Sequence, residues 1–206
     1  MNQIPKIINT IFTDFNCDSV KLKLNTEPFI NGSINDVTNW MVKNPLGNVD
    51  MKDVKTGITL FFLTCRYNKN DDLIIWLIEN KETNLNFTNS NGENILEYLS
   101  KCEFNSPLIS SRIILILKYH SFDTTIKNQF GDTIFDILCY SGYTDVIKYL
   151  FDNGLKIDPE NIKNKINKLN EIIKGECDDY WTSDEINNDF LSSTLENVIK
   201  YLELTL

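Results

Sequence analysis

Residues 128–158 constrain the fold of this chain more than any other stretch. They open on a turn signal, Asn128-Gln-Phe-Gly131, and continue as Asp132-Thr133-Ile-Phe-Asp-Ile-Leu-Cys139, a short apolar helical pattern broken at Gly142. A second helical pattern, Asp145-Val-Ile-Lys-Tyr-Leu-Phe151, follows and stops at Gly154. Glycine and Asn-rich turns punctuate helices in this way. Two short helices closed by tight turns have more apolar face than they can bury against each other. Such a unit needs neighbours stacked on it.

The rest of the chain supplies them. Gly57-Ile-Thr59-Leu-Phe-Phe-Leu-Thr-Cys65 matches Gly131-Asp-Thr133-Ile-Phe-Asp-Ile-Leu-Cys139 position by position, and Gly92-Glu-Asn94-Ile-Leu-Glu-Tyr-Leu-Ser100 matches both. The second helices align as well. Asp36-Val-Thr-Asn-Trp40-Met-Val42, Asp72-Leu-Ile-Ile-Trp76-Leu-Ile78 and Asp145-Val-Ile-Lys-Tyr149-Leu-Phe151 share an acid, an apolar residue, an aromatic and two further apolar residues. Arg112-Ile-Ile-Leu-Ile-Leu117 is a looser copy. The shared aromatic slot predicts core packing for Trp40, Trp76 and Tyr149.

On these residues the chain resembles the ankyrin-repeat family. That family places Gly-x-Thr-Pro-Leu-His-x-Ala-Ala at its first helix, and Gly-His-x-Glu-Ile-Val-Lys-Leu-Leu-Leu at its second. Gly131-Asp-Thr133 and Gly142–Phe151 follow the pattern closely. The proline slot holds Leu60, Ile95 and Ile134, and the histidine slot holds Phe62, Glu97 and Asp136. The resemblance implies an all-α solenoid with turn fingers and atypical capping helices at both ends. It sets repeats over residues 31–158, at about 31–53 (partial), 54–88, 89–127 and 128–158. Residues 1–30 form an N-terminal cap. Residues 159–206 form a C-terminal cap or degenerate repeat, because Glu196-Asn-Val-Ile-Lys-Tyr-Leu202 echoes Thr144-Asp-Val-Ile-Lys-Tyr-Leu150.

At the N-terminus, Ile7, Ile8, Ile11, Phe12 and Phe15 fall on one helical face, and Pro5 suits a first turn. This spacing predicts a capping helix over residues 3–15; residues 18–30 hold at most a partial helix. The third repeat carries an insertion from Lys101 to Ser110 containing Pro107, a surface loop of the kind that often bears function. After Pro159 an apolar stripe of Ile162, Ile166, Leu169, Ile172 and Ile173 predicts another helix. The stretch Glu176–Glu185 then brings Asp178, Asp179, Asp184 and Glu185 around Tyr180 and Trp181.

The net charge is −9 and the sequence holds two arginines, Arg66 and Arg112. A phosphate backbone is held by clustered Lys and Arg, so neither nucleic acid nor an anionic membrane is an expected partner. An acidic chain is better matched to a basic patch on a protein. Alanine is absent while Asn, Ile and Lys abound, a composition similar to ankyrin proteins of AT-rich protists or of their large DNA viruses. No apolar run approaches the ~20 residues of a membrane span, and the N-terminus lacks the basic and apolar regions of a signal peptide. A cytoplasmic location is expected, in the host if the chain is viral.

Little in the sequence invites chemistry. Cys17, Cys65, Cys102, Cys139 and Cys177 form no Cys-x-x-Cys pair. The single histidine, His120, sits at the expected end of an outer helix with no nucleophile beside it. The acidic stretch lacks the spacing of a calcium loop, and no phosphate-binding glycine motif occurs. No catalysis, cofactor, metal or small-molecule substrate is expected. The resemblance instead implies a partner protein held on a concave surface of turn fingers and inner helices. Carrying the family's contact positions over gives Lys55, Thr56 and Ile58 on one finger, Ser90, Asn91 and Glu93 on the next, and Gln129, Phe130 and Asp132 on a third. Arg66, Tyr67, Tyr140 and Ser141 come from inner-helix ends, and Phe130 and Tyr140 are the expected anchors. Two other roles compete. One is an adaptor recruiting a ubiquitin ligase through the helical segment Leu191–Leu202, and the other is a structural or assembly subunit of a larger particle.

Overall fold

A computed structural model describes residues 11–14, 17–23, 25–80, 83–175 and 188–206. The chain divides into two compact units, Met1–Tyr98 and Leu99–Leu206. In chain order the elements of the first are β1 (Ile11–Asp14), β2 (Cys17–Lys23), α1 (Glu27–Asn31), α2 (Ile34–Lys43), β3 (Lys52–Asp53), α3 (Leu60–Tyr67) and α4 (Asp71–Asn80). Helix α5 (Ile95–Ser100) crosses the boundary. The second unit continues with α6 (Pro107–Tyr119), α7 (Ile134–Tyr140), α8 (Thr144–Asp152), α9 (Pro159–Ile173) and α10 (Asn188–Glu203). The described residues are mostly helical, built of helix-pair repeats, with one small three-stranded sheet.

The helices start where short polar side chains can accept the first free N–H groups. Thr59 Oγ1 accepts from Phe62 N–H at 3.1 Å. In the matching slot of the next repeat, Asn94 Oδ1 accepts from Leu96 and Glu97 N–H at 2.9 and 3.0 Å. Glu97 returns the bond, its carboxylate accepting from Asn94 N–H at 2.9 Å. Thr133 and Asp136 close a full capping box at the start of α7. The carboxylates of Glu97 and Asp136 thus tie the helix entry from the slot where the family keeps histidine, a reciprocal cap worth on the order of 1 kcal/mol.

In unit 1, α1 packs on α2 and α3, and α4 packs on α2 and α3. Phe29, Val37, Met51, Leu60, Phe61, Leu63, Leu73 and Leu77 are buried there, and Phe29 meets Trp40 edge-on at 4.9 Å. In unit 2, inner helix stacks on inner helix (α7 on α9) and outer on outer (α6 on α8, α8 on α10). Leu138, Val146, Ile147, Leu169, Leu195, Val198 and Leu202 form its core. Ile162, Ile166 and Leu169 are buried as their stripe predicts.

Three features depart from expectation. The N-terminal helix is not formed over its described part: β1 and β2 pair antiparallel, and β1 also pairs with β3 through Phe12–Asp53 and Thr13–Lys52. Ile, Thr and Val suit the extended chain better than the helix, and Ser19-Val20-Lys21-Leu22-Lys23 alternates with period two. Residues 3–10 and 15, which carry the rest of the expected helix, lie outside the described residues. So does the acidic stretch Glu176–Glu185. Of the aromatic slot only Trp40 is buried, while Trp76 and Tyr149 are half-buried.

The insertion is the third departure. Pro107 opens α6, so the loop is confined to residues 101–106, and it is packed down. Asn105 N–H donates to the Ser141 carbonyl at 3.0 Å, and the Tyr143 hydroxyl donates to the Glu103 carbonyl. At Gly142, φ is +75°, and a Cβ would stand 2.5 Å from Thr194 Cγ2 and 3.1 Å from Phe104 Cζ. Only glycine lets the α7–α8 turn, the loop and α10 meet there.

Candidate protein-interaction site

The expected contact residues lie on turn fingers, and the fingers share one internal construction. In unit 1 the Asp53 carboxylate accepts from Thr56 N–H at 2.8 Å, while Asp53 N–H donates to the Ile58 carbonyl at 2.8 Å. Asn89 Oδ1 accepts from Asn91 and Glu93 N–H at 2.9 and 3.0 Å. In unit 2, Asn128 Oδ1 accepts from Phe130 and Asp132 N–H at 2.9 and 3.0 Å. Asx side chains that bond their own backbone a few residues on fix such turns locally. The sequence marks Asn128 as the start of a turn but the equivalent roots Asp53 and Asn89 were missed, although each stands just ahead of a repeat glycine.

The unit 1 fingers are also tied to each other. Ser90 N–H donates to the Thr56 carbonyl at 3.0 Å, and Asn84 N–H to the Asp50 carboxylate at 3.2 Å. Gly57, at φ +66°, leaves room for this, since a Cβ would lie 2.5 Å from Ser90 N. Lys55, Thr56, Ser90 and Asn91 are exposed on these fingers, and Ile58 and Glu93 are half-buried. Behind them, Arg66 Nη1 donates to the Tyr98 hydroxyl at 3.1 Å. Its guanidinium lies 4.9 Å from the Tyr67 ring centroid and 5.6 Å from that of Tyr98. Arg66 and Tyr67 are half-buried, so this stacked cation remains in reach of solvent.

Unit 2 sorts its residues differently. Phe130 is 70% exposed and Gln129 is exposed beside it. Ile126, which the sequence did not single out, is 65% exposed on the same finger. Tyr140 is only 2% exposed and Ser141 is fully buried, which corrects the expectation that they sit at an accessible inner-helix end. Helix α9 covers Tyr140: Lys165 Nζ donates to its hydroxyl at 2.6 Å and makes an ion pair with Asp136 at 2.6 Å. Lys165 and Lys168 also stand 4.1 and 5.1 Å from the Tyr140 ring centroid. Asp132 is 9% exposed and its charge acts on this cluster.

The cluster shifts its own members. Burial pushes the Tyr140 phenol up to about 12 despite the opposing hydrogen bond and charge of Lys168. Burial also pushes on Asp136, but the hydrogen bonds from Lys165 and Thr133 and the Lys165 charge hold its carboxyl below the usual range. The Tyr140 hydrogen bond raises Lys168. Cys65 and Cys139 are buried at equivalent positions, and burial keeps the Cys139 thiol protonated. His120 closes α6, with its ring edge-on to Phe122 at 4.7 Å. It opens onto a shallow cleft of ≈ 500 Å³ lined by Phe122, Tyr149, Leu150 and Leu155.

No family model and no curated protein matches this sequence. Among solved structures, the chain is similar to EF0377, an ankyrin repeat protein, at 20% identity and a TM-score of 0.46. That alignment covers 56% of this chain and 57% of the other, so the chain spans little more than half of EF0377's length. It is also similar to a chain from the complex of Bd0816, a predatory endopeptidase of Bdellovibrio bacteriovorus, with immunity protein Bd3460. There the identity is 18%, the coverage 88% of this chain and 97% of that one, and the TM-score 0.48. The helix-pair repeat is read from the chain itself, and an ankyrin repeat protein is among the solved structures it resembles.

Proposed function

We propose that this chain is a non-catalytic protein-binding module that works in the cytoplasm. It holds its partner on the turn fingers and adjoining inner-helix faces. The carrying observation is Phe130, an aromatic ring 70% exposed at the tip of a finger whose backbone is fixed by Asn128. A large apolar side chain held out on a rigid turn buries nothing in its own repeat and is the type of residue that dominates interfaces. Ile126, four residues before it, is 65% exposed as well. The unit 1 positions Lys55, Thr56, Ile58, Arg66, Tyr67, Ser90, Asn91 and Glu93 would supply polar and stacking contacts around their own fingers.

The net charge of −9 steers a partner with a basic patch. Glu176, Asp178, Asp179, Asp184 and Glu185 are five of the 29 acidic residues and fall in a run of ten without Lys or Arg, so that stretch is where a basic patch would be drawn. The adaptor reading has less support. Leu195, Val198 and Leu202 of the segment 191–202 are buried in unit 2, so the face an F-box-like helix would offer is already packed.

Affinity capture from cells expressing the chain tests the reading, with the wild type compared against the Phe130→Ala/Ile126→Ala double variant. At least one protein should be captured stoichiometrically by the wild type and lost with the variant, while the two melt alike. Identical captured sets would sink the proposal.

A further inference from the structure

We propose that Asn91 is a site of spontaneous covalent modification. In the folded protein its side-chain amide is displaced by the neighbouring Gly92 nitrogen, which converts one turn finger of unit 1 to an aspartyl or isoaspartyl form. The site stands on the chemistry of the pair, and only its effect on a partner rests on the proposed binding role of the fingers.

The sequence holds three Asn-Gly pairs, Asn31-Gly32, Asn91-Gly92 and Asn153-Gly154. Glycine presents the least hindered backbone nitrogen to the preceding side chain. That nitrogen gives up its proton and attacks Cγ of the asparagine. The bond from Cγ to Nδ2 breaks, ammonia leaves, and the ring so closed is a succinimide. Water, the only co-reactant, then adds to either ring carbonyl. One opening gives aspartate, and the other gives isoaspartate, in which the main chain runs through Cβ and Cγ.

The fold treats the three pairs unequally, although all three asparagines are exposed. Asn31 is the last residue of α1. Its Nδ2 donates to the Glu27 carboxylate at 2.7 Å, and a Cβ on Gly32 would stand 2.5 Å from the Pro28 carbonyl oxygen. Asn153 is the C-cap of α8, and its Nδ2 donates to the Tyr149 carbonyl at 2.8 Å. Asn91 lies outside any helix, and among the described residues its side-chain amide has no hydrogen-bond partner. No atom lies within 4 Å of where a Cβ on Gly92 would stand. The attacking nitrogens are restrained alike, because Gly92 N–H donates to the Asn89 carbonyl at 3.0 Å, and those of Gly32 and Gly154 to Pro28 and Phe151 at 3.1 and 3.0 Å. Asn91 therefore combines an untethered amide with room for the ring.

The product strikes the root of the finger. Asn89 Oδ1 accepts from Asn91 N–H and Glu93 N–H at 2.9 and 3.0 Å. An isoaspartyl link inserts one main-chain atom between those two donors, so one oxygen no longer reaches both. The finger loses its clamp and gains a carboxylate.

The test incubates the full chain in warm, mildly alkaline buffer, digests it at acidic pH and maps the peptides by mass spectrometry, with enzymatic methylation to detect isoaspartate. Asn91 should convert about 10-fold faster than Asn31 or Asn153, the most that one side-chain hydrogen bond withholds. In concentrated urea the three rates should converge. Equal rates in the folded chain, or Asn31 or Asn153 leading, would overturn the site. Asn91→Gln should stay unmodified in the same peptide. Hydrogen exchange at the Glu93 amide should quicken in the isoaspartyl form but not in Asn91→Asp, which carries the charge without the extra atom. Unchanged protection in the isoaspartyl form would overturn the loss of the clamp. Capture of the same partner by fresh and aged chain would overturn the effect on binding alone, whereas the binding role itself stands or falls on the Phe130 comparison.

Discussion

Each unit sets a tyrosine hydroxyl against a cation from a neighbouring inner helix, and the two pairs are built to different ends. In unit 1, Arg66 donates to Tyr98 at 3.1 Å, stacks on two rings and stays in reach of water. In unit 2, Lys165 donates to Tyr140 at 2.6 Å, but the tyrosine is 2% exposed and Asp136 completes a charged triad under α9. The planar, weakly hydrated guanidinium suits a stacked site at the surface, and the compact ammonium suits a point contact inside. Both tyrosines are buried and both cations half-buried, so what separates the pairs is the stacking of Arg66 on two rings against the ion pair that Lys165 makes with Asp136.

The largest break in this comparison is Lys165→Met. It leaves the Asp136 carboxylate mostly buried without its cation, and equilibrium denaturation should register a loss of about 3 kcal/mol. The double variant Lys165→Met/Asp136→Leu should recover part of that, because it leaves no stranded charge, though it also removes the Asp136 cap of α7. A double variant as unstable as the single one would mean that the ion pair is not what fastens α9.

The next effect is alkaline. The folded state holds the Tyr140 proton more tightly than the unfolded chain does, so it binds more protons through the window from pH 10 to about 12. Stability is therefore intact below pH 10 and falls as pH rises through that window, by about 2–3 kcal/mol at most. Tyr140→Phe should flatten this slope relative to the wild type in denaturant titrations at successive pH values. Parallel slopes would place Tyr140 in a wetter site than described.

Arg66→Met should cost less than about 1 kcal/mol, since a half-exposed cation–π contact is worth little to folding. A loss like that of Lys165→Met, measured by the same denaturation, would erase the distinction between the pairs. Smallest of all is Phe130→Ala, which should stay within about 0.5 kcal/mol of the wild type in a thermal melt. Its ring packs against nothing in its own repeat that the fold needs.

The sequence carried the parts of this architecture that depend on near neighbours. Thr59, Asn94 and Thr133 mark helix starts, and Gly57 and Gly142 mark turns, because each acts on backbone within a few residues. The N-terminal hairpin was missed because Ile11 and Phe12 also fit a helical spacing, and the alternation that favours a strand lies in the next segment, Ser19–Lys23. Tyr140 was misplaced for a different reason. Its cover, Lys165, comes from a helix a full repeat away, and no local pattern announces that a polar residue there will turn inward. Asn128 was read as the start of a turn, whereas the equivalent roots Asp53 and Asn89 were legible as Asx turns but were overlooked.

The meeting at Gly142 bears on how unit 2 comes apart. Stacked repeats ordinarily exchange contacts only with sequence neighbours, so they fray from an end and open one at a time. Here the loop before α6, the α7–α8 turn and α10 share one point of contact, which joins the beginning and end of the unit. Closing it orders a long stretch of chain at once, and opening it frees both flanks together. Unit 2 should therefore exchange its amide hydrogens as a single cooperative block, slow to form for a helical repeat and resistant to peeling from its C-terminal helix.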